Sequence, residues 1–330
     1  MVSISSGSFV KTINNATNQS TWTEQINLWQ WMAEIITSDE YNNQSIKIWD
    51  YIEYKIKDRV VYAGFVVDID RYIEERITNI KYYVRWLGTV LRDVLAPWFN
   101  SSVEDPTLWI VSAMEAVNAS YDFFNIEVKP SWITTQENFF WEIAQDRIDK
   151  VLGILSQRTW WYDYFVYPDG TFKCSDEWDT VHNLTIGREI DSFDINERGS
   201  EIFNKYAFFW RDMDNDNNPT YIELDDLESQ FLYGLRTRIE YDTKMFLNNI
   251  SLAENFWNNV LARNAQPKLS ASMVVNAKYD LFDLHPWDFV NIMGLDLDLP
   301  NIRIERLQYQ GEKVVLYFEV LESFISLIKS

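Results

Sequence analysis

Asp212, Asp214, Asp216 and Glu223 stand at the first, third, fifth and twelfth places of the stretch DMDNDNNPTYIE, the spacing at which an EF-hand loop offers oxygen ligands to calcium. Asn217 takes the sixth place, where such a loop needs Gly for its sharp turn, and Pro219 takes the eighth. The preceding KYAFFWR has the composition of a strand rather than of the required helix. A polar hairpin loop accounts for the same residues, and no metal is assigned to them. His182 and His285 are the only histidines, and neither has a Cys or a second His at ligand spacing. Cys174 lies beside Asp176 and Glu177 with no nearby His to activate it. The pairs Asp68/Asp70 and Asp225/Asp226 have the residue types of a glycosidase acid and base. With 50 acidic residues in the chain such pairs occur throughout, and solvated faces are their expected role. Phosphate-binding Gly loops, a Gly-x-Ser-x-Gly elbow and a His-Glu-x-x-His pair are absent. The sequence therefore predicts neither a catalytic residue nor a cofactor.

Composition points the same way. The hydrophobic fraction is 47% and the aromatic fraction 16%, which predicts a well-packed globular chain. A net charge of −21 without a basic run opposes binding to nucleic-acid phosphates or anionic lipid, and suits a surface that DNA passes without sticking. One cysteine allows no intrachain disulfide. The first residues lack the basic and apolar regions of a signal peptide, and no segment reaches about 18 uninterrupted apolar residues, so assembly in a cytoplasm without membrane insertion is expected.

The elements follow from hydrophobic period. Over 22–86 the pattern alternates, as in IKIWDYIEYKI and RVVYAGFVVDIDRYI. Only WTEQINLWQWMAEI also fits helical spacing, and its position favours strand. Between 87 and 158 the period becomes helical. Val90, Leu91, Val94 and Leu95 form a short apolar face, and Asp105-Pro106 opens a helix bearing Trp109, Ala113, Val117 and Tyr121. Thr134 and Glu137 have capping-box spacing ahead of Phe140, Ala144, Ile148, Val151 and Leu155. A hairpin turning at Pro168-Asp169-Gly170 follows. After 181 strands return, interrupted by a helix over about 242–263.

Two phrases repeat: KIWDYIEYKI at 47–56 and LHPWDFVNIM at 284–293. Each places a Trp-Asp pair, Trp49-Asp50 or Trp287-Asp288, ahead of a strand, a turn and a second strand. The second strands contain Ile69-Asp70-Arg71-Tyr72 and Ile304-Glu305-Arg306-Leu307, nineteen and sixteen residues after the aspartates. The order predicts two related barrel-like domains: 1–94 and 181–330, the latter with a helix insertion at 242–265, around an α/β middle module at 95–180. The expected fold class is α+β.

Several phrases together resemble the tail hub, or baseplate hub, proteins of tailed bacteriophages. They are HNLTIGREIDSFDINERGSEIFNKYAFFW, then ESQFLYGLRTRIEYD with Ser229, Tyr233, Gly234 and Arg236, then AENFWNNVLARNAQPKLSASMVV and LHPWDFVNI. YAGFVVDIDRYI and VRWLGTVLRDVL match more loosely. Trp287 stands where the family usually has Gly, and Trp49 is its counterpart. The resemblance implies a homotrimer whose six barrels join a sixfold tail tube or distal tail protein above to a threefold spike, fibre or tail-tip protein below, around a DNA exit channel at the virion tail tip. It implies a structural role without catalysis. Enzymatic or receptor-binding activities then belong to other chains, since this one stops soon after its last expected barrel strand. The alternative is a tail-tip module binding host-surface carbohydrate by stacking Trp160, Trp161 and Tyr162 on sugars.

Overall fold

Ile80, Tyr82, Val84 and Trp86 are buried while the residues between them are half-exposed, the period-two signature of a strand with one face on a core. The computed structural model describes residues 11–14, 21–25, 32–38, 46–56, 59–74, 77–97, 99–100, 104–134, 138–139, 142–156, 162–177, 180–198, 202–211, 219–242, 250–265, 268–276, 283–294, 297–310 and 313–320. They fall in two compact units, one drawn from 1–193 and 272–319, the other from 194–271.

The first unit is dominated by strands. Its N-terminal part contributes β1 (Lys11–Asn14), β2 (Thr21–Gln25), β3 (Met32–Ser38), β4 (Tyr51–Ile56), β5 (Arg59–Glu74) and β6 (Ile77–Trp86). Its C-terminal part contributes β12 (Val181–Thr185), β18 (Phe289–Gly294), β19 (Leu297–Gln310) and β20 (Lys313–Val320), together with the start of β13 (Ile190–Arg198) and the end of β17 (Lys268–Asn276), which run on into the second unit. In the sheet the first six run β1-β4-β5-β6-β3-β2 and the second six run β12-β18-β19-β20-β17-β13. Position for position this is one topology used twice, each copy entered by a parallel edge strand. The copies join where β2 pairs antiparallel with β19. The class is α+β, with two related, mainly antiparallel barrel-like units.

Between them lies the middle module. A 3-10 helix, Leu87–Arg92, buries Leu87, Val90 and Leu91, while Leu95 of the expected helical face is 62% exposed. Helix α1 (Thr107–Tyr121) buries Trp109, Ala113 and Val117 as its spacing predicts, and Asp105 accepts bonds from the Thr107 amide and hydroxyl (2.9 and 2.8 Å). Helix α2 is Ala144–Ser156. It does not start at Thr134 as the capping-box spacing predicted, because the chain ahead of it is held as β structure. Asn138–Phe139 (β9) pairs with Phe99–Asn100 (β7), and the Ala144 amide donates to Val94 O. Residues 135–137 of that box lie outside the described residues. The strands β8 (Asn125–Val128), β10 (Asp163–Val166) and β11 (Thr171–Ser175) form a sheet in the order β10-β11-β8. The β10–β11 turn places Gly170 at φ +89, a conformation open to glycine.

The second unit centres on β14 (Lys205–Arg211), antiparallel to β15 (Pro219–Asp225) and parallel to β16 (Thr237–Asp242). Helix α4 (Ile250–Asn264) presses Trp257 against this sheet, stacked on Tyr206 at 4.4 Å, and Phe203, Phe208, Ile222 and Leu261 complete the core. The sequence placed a helix start near 242. Asp242 instead ends β16, residues 243–249 lie outside the described residues, and the helix is described from Ile250. The two-turn helix α3 (Leu227–Tyr233) was not foreseen, being too short to show a helical period.

Candidate functional site

Both Trp-Asp phrases fold into the same turn. The Trp49 amide donates to Val66 O (2.7 Å) and the Trp287 amide to Ile304 O (2.9 Å). The amides of Asp50 and Asp288 reach back three residues to the carbonyls of Lys47 and His285, and their carboxylates accept from the amides of those same residues at 2.7 and 2.8 Å. The loop is closed in both directions by the aspartate, which is the reason the position needs one. Both tryptophans take positive φ, +69 and +89, the region that glycine enters without steric cost.

The hydrogen bonds also fix which residues correspond. Val66 and Ile304 both donate to the turn aspartate's carbonyl, sixteen residues after it in each copy. Tyr51 opposes Phe65 as Phe289 opposes Arg303, and Ile52 opposes Gly64 as Val290 opposes Ile302. A register shift then follows in both, between Val66 and Asp68 and between Ile304 and Arg306. The equivalent of Ile304 is therefore Val66, not Ile69, and the equivalents of Glu305 and Arg306 are Val67 and Asp68. The likeness of the phrases around Ile69-Asp70-Arg71 and Ile304-Glu305-Arg306 is offset by three residues, because turn bonds and the bulge set register whereas local composition does not. The parallel edge repeats the match: Lys11 opposes Ile52 as His182 opposes Val290.

The two turns differ in their surroundings. Trp49 is 62% exposed, whereas Trp287 is fully buried with the Arg303 guanidinium 3.9 Å from its ring centre. Arg303 bonds Asp163 of the middle module at 3.0 Å, and His182 Nε2 lies 3.0 Å from Asp288 Oδ2. The second turn is thereby tied to two neighbouring elements. Sequence spacing gave no sign of the His182–Asp288 or Arg303–Asp163 contacts, which span 106 and 140 residues.

Several of the remaining sequence candidates have structural partners. Cys174 is buried, and burial with the charge of Asp163 pushes its thiol well up, away from a nucleophilic thiolate. Asp70 accepts from the Tyr83 hydroxyl (3.1 Å) and Asp68 from the Ile69 amide (2.9 Å). Asp226 caps α3 through the Ser229 amide (2.9 Å), and Asp225 accepts from Gln230 (2.7 Å). Glu223 is held low by the Tyr221 hydroxyl and by Lys205 at 3.1 Å. Asp212, Asp214 and Asp216 lie outside the described residues, among which no group of three or more His, Cys, Asp or Glu has metal-site geometry. Trp160 and Trp161 also lie outside them. Tyr162 is buried at 1% exposure, so it offers no face to a sugar, contrary to the stacking reading.

Ser229, Gly234 and Arg236 converge on one buried residue. Asn204 donates from Nδ2 to Gly234 O (2.8 Å) and to Ser229 Oγ (3.3 Å), and its Oδ1 accepts from the Arg236 amide (2.8 Å). These groups fix the exit of α3. The helix and its exit leave Leu227 (73%), Phe231 (89%), Leu232 (61%) and Leu235 (64%) exposed, an apolar run of the kind that marks a protein-binding face.

The duplicated six-stranded unit with an inserted module and an inserted small domain is the hub-like fold of phage tail proteins. The chain superposes on a 43 kDa tail protein of prophage MuSo2 from Shewanella oneidensis with a TM-score of 0.65 at 14% identity, over 92% of this chain and 94% of that one. A tail protein from Neisseria meningitidis MC58 gives 0.67 at 12%, over 94% and 93%. An E. coli component of the type VI secretion system, described as structurally similar to the T4 phage tail proteins gp27 and gp5, gives 0.51 at 8%, over 92% and 74%. No protein-family model and no curated protein sequence matches the chain. At these identities the likeness is one of fold.

Proposed function

We propose that this chain is the structural hub subunit at the tip of a phage or phage-like tail. Three copies form a ring of six equivalent β units that joins a sixfold tail tube to a threefold spike or fibre around the DNA exit channel. The observation that carries this is the duplication itself: two copies of one topology, with the same turn, register and bulge, give a trimer a near-sixfold face. The net charge of −21 per chain suits a passage that repels DNA. The apolar residues Leu227, Phe231, Leu232 and Leu235 supply a face for a neighbouring tail protein. The role is one of shape and interface, without catalysis, in the assembled tail. The carbohydrate-binding alternative has lost Tyr162 to the core.

Imaging of the purified assembly tests this reading. Six similar lobes around a central channel are expected. A compact particle without a channel, or release of reducing sugar from bacterial cell-wall preparations, would contradict it.

A further inference from the structure

Among the described residues the β2–β19 seam has an unoccupied equivalent in the same chain. Along one edge β19 pairs with β18 up to Arg303, meets the turn at Ile304, and then pairs with β2 over Arg306–Gln310. Its counterpart β5 pairs with β4 up to Phe65 and meets the matching turn at Val66. Beyond Val66 no strand covers this edge of β5 among the described residues. Aligned through the shared bulge, the residues that match Arg306, Leu307, Gln308, Tyr309 and Gln310 are Asp68, Ile69, Asp70, Arg71 and Tyr72. The counterpart of β2 is β13. It ends the strand order with β17 on one side and no strand on the other among the described residues.

We propose that β13 of one subunit adds to Asp68–Tyr72 of β5 in a second copy, antiparallel, repeating between chains the seam that β2 and β19 make within one. This rests on the ring proposed above and names the strands that close it. Where the seam is made, Leu307 and Tyr309 are buried; where it is open, Ile69 is half-buried and Arg71 is exposed, with Ile73 beyond them 75% exposed. The Ile69 amide, turned away from β6, meets the carboxylate of its neighbour Asp68 instead of a strand. Three charges on five residues, Asp68, Asp70 and Arg71, mark an edge guarded against indiscriminate pairing, while main-chain bonds to an added strand provide the attraction. A heterologous contact of this kind generates a ring when its rotation closes.

Hydrogen exchange of the full chain, compared between dilute monomer and assembled protein, reads the seam directly. The amides of Ile69 and Arg71 and those of β13 are expected to slow by about tenfold or more on assembly. Arg71→Pro, at an amide that by ladder alternation faces the open edge, is expected to abolish assembly and to melt near the temperature of the dilute, unassembled parent. If the assembly forms with 68–72 and 190–198 exchanging as fast as in the monomer, the seam is overturned and the ring reading survives. A monomer at every concentration overturns both. If Arg71→Pro unfolds the chain, the exchange of the unmodified protein decides.

Discussion

Trp49 and Trp287 share a left-handed backbone conformation in two copies of one turn, yet the first side chain stands 62% exposed and the second is fully buried. Glycine relieves the backbone strain at both sites, worth about 1–2 kcal/mol, and removes very different amounts of packing. Trp49→Gly is expected to be neutral or to stabilise by up to about 1 kcal/mol. Trp287→Gly is expected to cost about 3 kcal/mol or more through the cavity it leaves. Chemical denaturation of the two variants measures the contrast, and equal losses would mean that the buried ring of Trp287 contributes nothing.

The turn aspartates differ in the same sense. Asp288 is 4% exposed and holds both the His285 amide and His182, whereas Asp50 is half-exposed and caps Lys47. Asp288→Ala is expected to cost about 2–3 kcal/mol, by leaving the part-buried His285 amide and His182 ring without their partner, and Asp50→Ala about 1 kcal/mol. Urea midpoints of both variants against the parent test the ranking.

Asn204 binds three separate backbone or side-chain groups from the α3 exit. Asn204→Ala removes all three bonds, of which the one to Ser229 is buried, and is expected to destabilise the small unit by about 1–3 kcal/mol. Hydrogen exchange localises the effect: amides of 219–242 speed up, and those of β5 and β6 do not.

Asp149 predicts a pH dependence. Burial pushes its carboxyl up to about 7, opposed by the Tyr164 hydroxyl bond at 3.2 Å and reinforced by Asp146. The folded state holds this proton more tightly than the unfolded state, so the group lowers stability as pH rises from its ordinary value of 3.8 to about 7, with no further change above. Asp149→Asn removes that loss. It is expected to be more stable than the parent by roughly 2–4 kcal/mol at pH 8 and to match it within about 1 kcal/mol at pH 4. Melting temperatures of both proteins across that range are the measurement.

What was legible in the sequence was what local composition controls. The strands of β4 to β6, the stripe of α1 and the paired Trp-Asp turns each write their pattern within a dozen residues. The start of α2 was misplaced because Thr134 and Glu137 match a capping box, while the pairing of β9 with β7, thirty-eight residues away in sequence, decides where the helix begins. Aligning Ile69 with Ile304 failed for a related reason: the bulge after Val66 and Ile304 is set by cross-strand bonds that no single strand encodes. The Asn204 cluster joins residues up to 32 apart, and its members Ser229, Gly234 and Arg236 were noticed only as parts of a phrase.

The central claim is that one chain supplies two equivalent units to a closed ring of three. The mass of the purified protein by light scattering, over a range of concentrations at low and moderate salt, tests it most directly. The account predicts a species of three times the 39.3 kDa chain mass that forms as the concentration rises. A strict monomer throughout, or a closed dimer, would contradict it.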